Sequence, residues 1–571
     1  MTHRSFAHVL LGGFATLLLG SCQGIDPASD PAPAPSDASV ETSAAQDFTE
    51  QERLRGSITP ERKWWDVQHY GLTLEVMPDT KSLEGSNVIS FRTLKKGDRM
   101  QIDLQPPLEI TRIVHRGEEL RFERNGNVYW ADFAEAIPAG QDEEVEVFYE
   151  GEPQESLRPP WSGGFTWGRD SKGGPFIATT CQGLGASVWW PNKDHGYDEP
   201  DRGVDVRVTV PEDLVAVSNG RLKDQSRDAE AKTRSFHWQV TNPINNYCVN
   251  LNIGHYMPIS STYEGKGGTL DVQYWVLEHQ EEKARKQFQE VPRTLEAFEH
   301  WFGQYPFYED SYKLVVVPYL GMEHQSSVTY GNGFENGYRG RDLSETGVGL
   351  KFDFIIVHES AHEWWGNNVS MDDVADMWIH ESFANYAENL FVDYHFSKEE
   401  AEDYVIGCRK LIKNDVPIIG TYGLNRSGSG DMYYKGGNML HTMRSIVNDD
   451  ERWRRVLRGI NEEFWHDTVK TEDFEAYISR ETGFDFGPFF DQYLRTTKIP
   501  VLAYEGVDGG VRLWWKNVVP GFKVPVDVRL NGAEQRVIVS TKPTPIALGG
   551  PLESLELDRN FYMDVEEQGA D

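Results

Sequence analysis

From about Trp64 to Tyr256, apolar and polar positions alternate in short runs: YGLTLEV, NVISFRTL, EVEVFYEG, VDVRVTV, SFHWQV and YCVNLNIG. Turn residues separate the runs and no helical period persists, which predicts strands with one buried face. Beyond about residue 280 the period lengthens. EEKARKQFQEV, TLEAFEHWFGQ, DFIIVHESAHEWWGN and MWIHESFANYAENLFVDYHF read as helices, and one β run, YKLVVVPYL, precedes the third of them. TEDFEAYISRETG carries terminal signals, with Thr471 as the expected N-cap and Gly483 as the stop. Strands return after Pro500 in VLAYEG, GVRLWWKNV, KVPVDVRL and QRVIVST. The expected fold is multidomain α+β: an N-terminal all-β domain over 61–260, an α-rich domain over 261–497 and a small C-terminal β domain over 498–571.

The first sixty residues follow a different pattern. His3 and Arg4 lead into an apolar run from Val9 to Leu19, the right length for a secretory segment and too short to span a bilayer. Residues 1–21 are therefore expected to be a signal peptide. Leu19-Gly20-Ser21-Cys22 resembles a bacterial lipobox, in which the cysteine becomes the lipidated first residue. Gln23 follows it rather than aspartate, so the expectation is an exported lipoprotein of the outer membrane, facing the periplasm or the cell surface. Residues 22–60 are rich in Pro, Ala, Ser and Asp and read as a flexible linker.

Composition narrows the rest. With 571 residues the chain exceeds one compact core. Its net charge of −34 gives no general attraction for nucleic acid, which is excluded as a partner. Beyond Cys22 only Cys181, Cys248 and Cys408 remain, so one thiol at least stays free and disulfides do not stabilise the fold.

The chemistry lies in HESAHE, residues 358 to 363. On a helix His358 and His362 share one face. Two imidazoles at that spacing suit zinc, and Glu359 projects beside the metal, where it can take a proton from a bound water. Glu381 follows His362 by nineteen positions, enough to finish one helix, turn and enter an antiparallel neighbour, so it is the expected third ligand. His380 and Glu388 are rivals for that place.

HESAHEWWGNNVS followed by DMWIHESFANYAE resembles the aminopeptidase N family of zinc peptidases. The resemblance implies a thermolysin-like catalytic domain, one Zn2+ per chain and peptides with a free N-terminus as substrates. It also implies metal ligands His358, His362 and Glu381, with Glu359 as general base. The family's G-x-M-E-N stretch is matched by Gly321-Met322-Glu323, with His324 in place of asparagine. Gly321 and Met322 would line the substrate site, and Glu323 would hold the substrate's α-ammonium. Tyr433-Tyr434-Lys435-Gly436 is similar to the family's Y-x-K-G, making Tyr433 the expected oxyanion donor and Tyr434 its rival. Gln182, Pro191 and Asp194 keep the spacing of the family's glutamine segment, so Gln182 would be a second contact to the ammonium. The arginine of that pattern is replaced by Ser187. The resemblance spans about residues 60–571 and implies a short form without the long C-terminal helical domain.

Three other readings share some of these residues. A thermolysin-type endopeptidase would keep the histidine helix but would not need Glu323. A non-catalytic lipoprotein that binds peptides or glycans would tolerate loss of Glu359 or Tyr433. Hydrolysis of a small non-peptide substrate, known in one branch of the family, is a third.

Overall fold

The computed structural model describes residues 48–569. The expected signal segment, Cys22 and most of the expected linker lie outside them. The N-terminal part is built on an eight-stranded sheet. Its strand Trp65–Met77 pairs antiparallel with Ser82–Thr93 and parallel with Val204–Pro211. Tyr70, Leu72, Leu74 and Val76 are buried at every second position, as a one-sided sheet requires. A four-stranded sheet sets Pro175–Thr180 between Asn252–Gly254 and Gly164–Arg169. Its central strand ends two residues before Gln182.

The strand Tyr256–Gly265 runs across the expected boundary at residues 260 and 261. It pairs antiparallel with Gly268–Leu277 and so joins a five-stranded sheet with Tyr312–Val316, Val328–Tyr330 and Gly321–Met322. Gly321–Met322 is the edge strand, antiparallel to Val328–Tyr330. Helices Glu290–Phe302, Phe354–Ala361, Trp378–His395 and Tyr434–Val447 belong to this part. Four- and three-stranded sheets between Val501 and Glu567 complete the α+β arrangement expected from the pattern.

Two local expectations are corrected. Helix Glu50–Gly56 lies within the stretch read as linker, and helix Pro60–Lys63 begins at its last residue. The first has a capping box between Thr49 and Glu52, and Gln51 and Arg62 fasten the segment to Asn125, Asn127 and Asp103. Thr471 is the first residue of its helix rather than the N-cap, which is Lys470. The Thr471 hydroxyl is taken by tertiary partners: it donates to Asp376 Oδ1 at 2.6 Å and accepts from Trp378 Nε1 at 2.7 Å. Gly483 ends that helix in a left-handed conformation, as its residue type requires.

Candidate active site

Asp353 starts the histidine helix, its Oδ1 accepting from Ile355 N at 3.1 Å and Ile356 N at 3.3 Å. The helix ends at Ala361, and His362 sits at its C-cap still in helical conformation, so both imidazoles keep one face. Trp365 then stacks on Phe383 at 4.3 Å between ring centres, packing the end of this helix against helix Trp378–His395. That contact brings Glu381 opposite the histidines.

Glu381 Oε2 lies 3.6 Å from His358 Nε2 and 3.5 Å from His362 Nε2. It is buried and accepts no hydrogen bond. A tetrahedral ion with bonds of about 2.0–2.1 Å has donor atoms about 3.3 Å apart, so the orphaned oxygen and the two nitrogens fit zinc. The opposite ring nitrogens are fixed. His358 Nδ1 pairs with Glu388 Oε1 at 2.8 Å, and His362 Nδ1 pairs with the Trp365 carbonyl at 2.8 Å. Glu388 is thus a partner of His358 and lies behind the candidate metal position, with Tyr404 donating to its other oxygen at 2.6 Å. His380 is turned elsewhere: its Nε2 accepts from Met371 N at 2.9 Å.

The electrostatics call for a cation. Burial pulls both histidines down, yet the Glu381 carboxylate beside them, joined at His358 by Glu388, outweighs it and holds each imidazole above its ordinary value, His358 well above. Burial, with the nearby charges of Glu323 and Glu381, outweighs the pull of His358 and His362 and raises Glu359 to about 8. Glu323 is raised for the same leading reason. Three carboxylates share this buried space, and a divalent ion would relieve their repulsion.

The remaining expected residues converge here. Glu323, Glu359 and His362 bring two carboxylate oxygens and one ring nitrogen within 4.8 Å of one another. Gln182 reaches in from the N-terminal part, its Nε2 donating to Glu323 Oε1 at 2.5 Å and Glu381 Oε1 at 3.0 Å. Gly321 lies against Glu359: a Cβ there would stand 2.7 Å from Ile355 Cγ2 and 2.8 Å from Glu359 Oε1, so a larger residue would displace both side chains. Met322 is buried beside it. Tyr433 lies 6.0 Å from His358 between ring centres, and burial, then the charges of Glu381 and Glu323, keep its phenol protonated. After burial, Tyr434 feels Glu388 and Cys408 rather than Glu381 and Glu323.

One contact had no sequence signal. Tyr247 donates to Glu323 Oε1 at 3.2 Å, from a strand-rich region where no spacing marks it. His324 is buried and neutral, its pKa lowered to about 3 by burial, and its Nε2 has no partner. The cysteines Cys181, Cys248 and Cys408 are all unpaired and buried.

Two family models match the chain, the Peptidase M1 N-terminal domain over 66–248 and the Peptidase family M1 domain over 286–493. The chain belongs to peptidase family M1. Among family M1 relatives, Probable aminopeptidase 1 of Saccharolobus solfataricus is 20% identical over 512 residues, covering 86% of this chain and 62% of that protein. Aminopeptidase N of Lactobacillus helveticus is 26% identical over 311 residues, covering 50% of this chain and 35% of its own length. This chain thus spans less than two thirds of either relative. Among solved structures, a mutant M1 zinc metallopeptidase from Deinococcus radiodurans bound to a Tyr-Ser-Ala substrate has a TM-score of 0.65 at 20% identity. That match covers 78% of this chain and 98% of the other.

Proposed function

We propose that this protein is a zinc-dependent aminopeptidase that removes the N-terminal residue from peptides. One observation carries the reading. Glu323 is a buried carboxylate outside the His358–His362–Glu381 triad, yet an oxygen of it lies within 4.8 Å of a ligand nitrogen and of Glu359. An ammonium held there leaves room for a single residue before the bond that meets the metal. A thermolysin-type endopeptidase would have no use for that carboxylate. The relatives named as aminopeptidases agree.

Zinc, when bound by His358, His362 and Glu381, supplies Lewis acidity towards the scissile carbonyl and an acidified water. Glu359 accepts that water's proton and returns it to the departing amine. Tyr433 donates a hydrogen bond to the carbonyl oxygen as it gains charge. Glu323 binds the substrate ammonium, and Gln182 holds the orientation of Glu323. Glu388 and the Trp365 carbonyl keep the Nε2 atoms of the two histidines facing the metal.

Hydrolysis of one peptide with a free N-terminus and of its N-acetylated form tests the reading. The free peptide should be trimmed from its N-terminus and the acetylated one left intact. Comparable kcat/KM for both would replace the aminopeptidase by an endopeptidase. Glu359→Gln should retain zinc and lose nearly all turnover on the free peptide.

We also propose export by residues 1–21 and anchoring through a lipidated Cys22, at an outer membrane facing the periplasm or the cell surface. The support is Leu19-Gly20-Ser21-Cys22. Among the described residues no helix is long and apolar enough to cross a membrane. Cys22→Ala with the signal retained should convert a membrane-sedimenting protein into a soluble one of equal specific activity. Wild-type protein found wholly soluble after export would sink the anchor.

A further inference from the structure

Ser187 stands where the family pattern carries arginine, and its hydroxyl and backbone N–H both donate to Asp194 Oδ2, at 2.5 and 3.1 Å. A guanidinium reaches the same oxygen from elsewhere. Arg55 Nη2 lies 3.4 Å from Asp194 Oδ2, and Arg55 Nη1 donates to the Leu184 carbonyl. Arg55 belongs to helix Glu50–Gly56, ahead of residue 66 where the first family model begins to match.

The loop is shaped for this contact. Gly185 has φ +86, and a Cβ there would stand 1.7 Å from Arg55 Nη2, so only glycine leaves the guanidinium its place. Gln105 supports the same turn, its Nε2 donating to the Leu184 carbonyl at 2.7 Å and to Ser187 Oγ at 3.0 Å. Gln182 lies two residues before the clamped carbonyl, and its amide faces Glu323 and Glu381. The helix is itself braced on the loop that leads to Tyr433. Glu52 pairs with Arg426, and Gly56 packs so tightly that a Cβ would lie 2.2 Å from Asn425 N.

We propose that Arg55 is a positioning residue for substrate recognition: it supplies from the N-terminal helix the guanidinium missing at position 187 and fixes the 182–187 loop, so that Gln182 meets Glu323. The proposal rests on Glu323 being the amine anchor and on Gln182 holding its orientation. A fork that grips a carbonyl and a carboxylate at once suits arginine and not lysine. Loss of the clamp would loosen Gln182 while leaving the metal ligands and Glu359 in place.

The test compares wild type with Arg55→Ala, Arg55→Lys and the double variant Arg55→Ala/Ser187→Arg, on a free peptide and its acetylated form, with zinc content measured in parallel. Arg55→Ala should raise KM for the free peptide about tenfold with kcat within about twofold, the pattern of lost binding rather than lost chemistry. Zinc stoichiometry should not change, Arg55→Lys should fall between, and arginine at position 187 should recover most of the loss. An unchanged KM in Arg55→Ala overturns the proposal. So does a rise that Ser187→Arg leaves uncorrected. If Arg55→Ala fails to fold, wild-type KM in Arg55→Lys overturns it, and a raised KM there supports it. Wild-type enzyme that cleaves both peptides equally is a different failure, that of the amine anchor itself.

Discussion

The side-chain amide of Gln182 donates to Glu323 and Glu381 together, at 2.5 and 3.0 Å, and so links the proposed amine anchor to a metal ligand. Glu323 Oε1 also receives Tyr247 at 3.2 Å, which leaves its other oxygen for an ammonium. Removing the carboxylate should therefore cost far more than removing the amide. Glu323→Ala should lose about 2–5 kcal/mol of transition-state stabilisation, as when one partner of a buried charge pair is truncated. Gln182→Ala should lose about 1 kcal/mol, the worth of a neutral hydrogen bond. Values of kcat/KM on a free dipeptide measure both. Equal losses would mean that the carboxylate does not meet the ammonium.

The two adjacent tyrosines are separated by their surroundings. Tyr433 feels Glu381, Glu323 and Glu359, whereas Tyr434 feels Glu388 and Cys408. Tyr433→Phe should lower kcat about a hundred- to a thousandfold with a small change in KM, the effect of deleting one oxyanion donor. Tyr434→Phe should keep kcat within about threefold, because its neighbours are Glu388 and Cys408 rather than Glu381, Glu323 and Glu359. Single-turnover rates of the two variants decide it, and a large loss confined to Tyr434→Phe would reverse the roles.

With His358 as a zinc ligand, as proposed, Glu388 would act on the metal through it. Its Oε1 accepts from Nδ1 at 2.8 Å, while Tyr404 and Asn385 hold the carboxylate at 2.6 and 3.1 Å. Glu388→Ala should weaken zinc binding about 10- to 100-fold by freeing the ring and lowering its basicity. Competition with a chromogenic chelator measures this directly. Unaltered affinity would mean that packing alone orients His358.

What could be read from the sequence divides along physical lines. HESAHE and Glu381 were legible because a helix converts fixed spacing into a shared face, and because helix–turn–helix geometry limits where a third ligand can fall. Strands were legible from alternation. Gln182 and Tyr433 became candidates only through a resemblance, since nothing in their local pattern is unusual. Helix Glu50–Gly56 was missed because polar side chains fasten it: Gln51, Glu52 and Arg55 do the work that apolar residues usually do. A segment poor in large apolar residues looks like a linker to any hydrophobic criterion. Thr471 illustrates the same limit at smaller scale, its hydroxyl being drawn from capping to Asp376 and Trp378 by contacts some ninety residues away in sequence.

Zinc binding at this site is coupled to proton release. Zinc takes neutral imidazole, so each ligand histidine that is protonated before binding must give up its proton. At pH about 7.5, two ordinary histidines with pKa about 6.5 would together release about 0.2 proton. Here the carboxylates of Glu381 and Glu388 hold His358 well above that range, and His362 is raised as well. Glu359, at about 8, adds to the release as the cation arrives. The sign follows: protons compete with zinc below the raised pKa values, so affinity climbs as pH rises through neutrality and levels off above them. Zinc titration calorimetry of metal-free protein, in buffers of different ionisation enthalpy, should show more than about one proton released per zinc near neutral pH. Glu388→Ala removes one of the causes that raise His358 and should reduce that number. Release of only about 0.2 proton in the wild type would mean that the histidines are already neutral before the metal arrives.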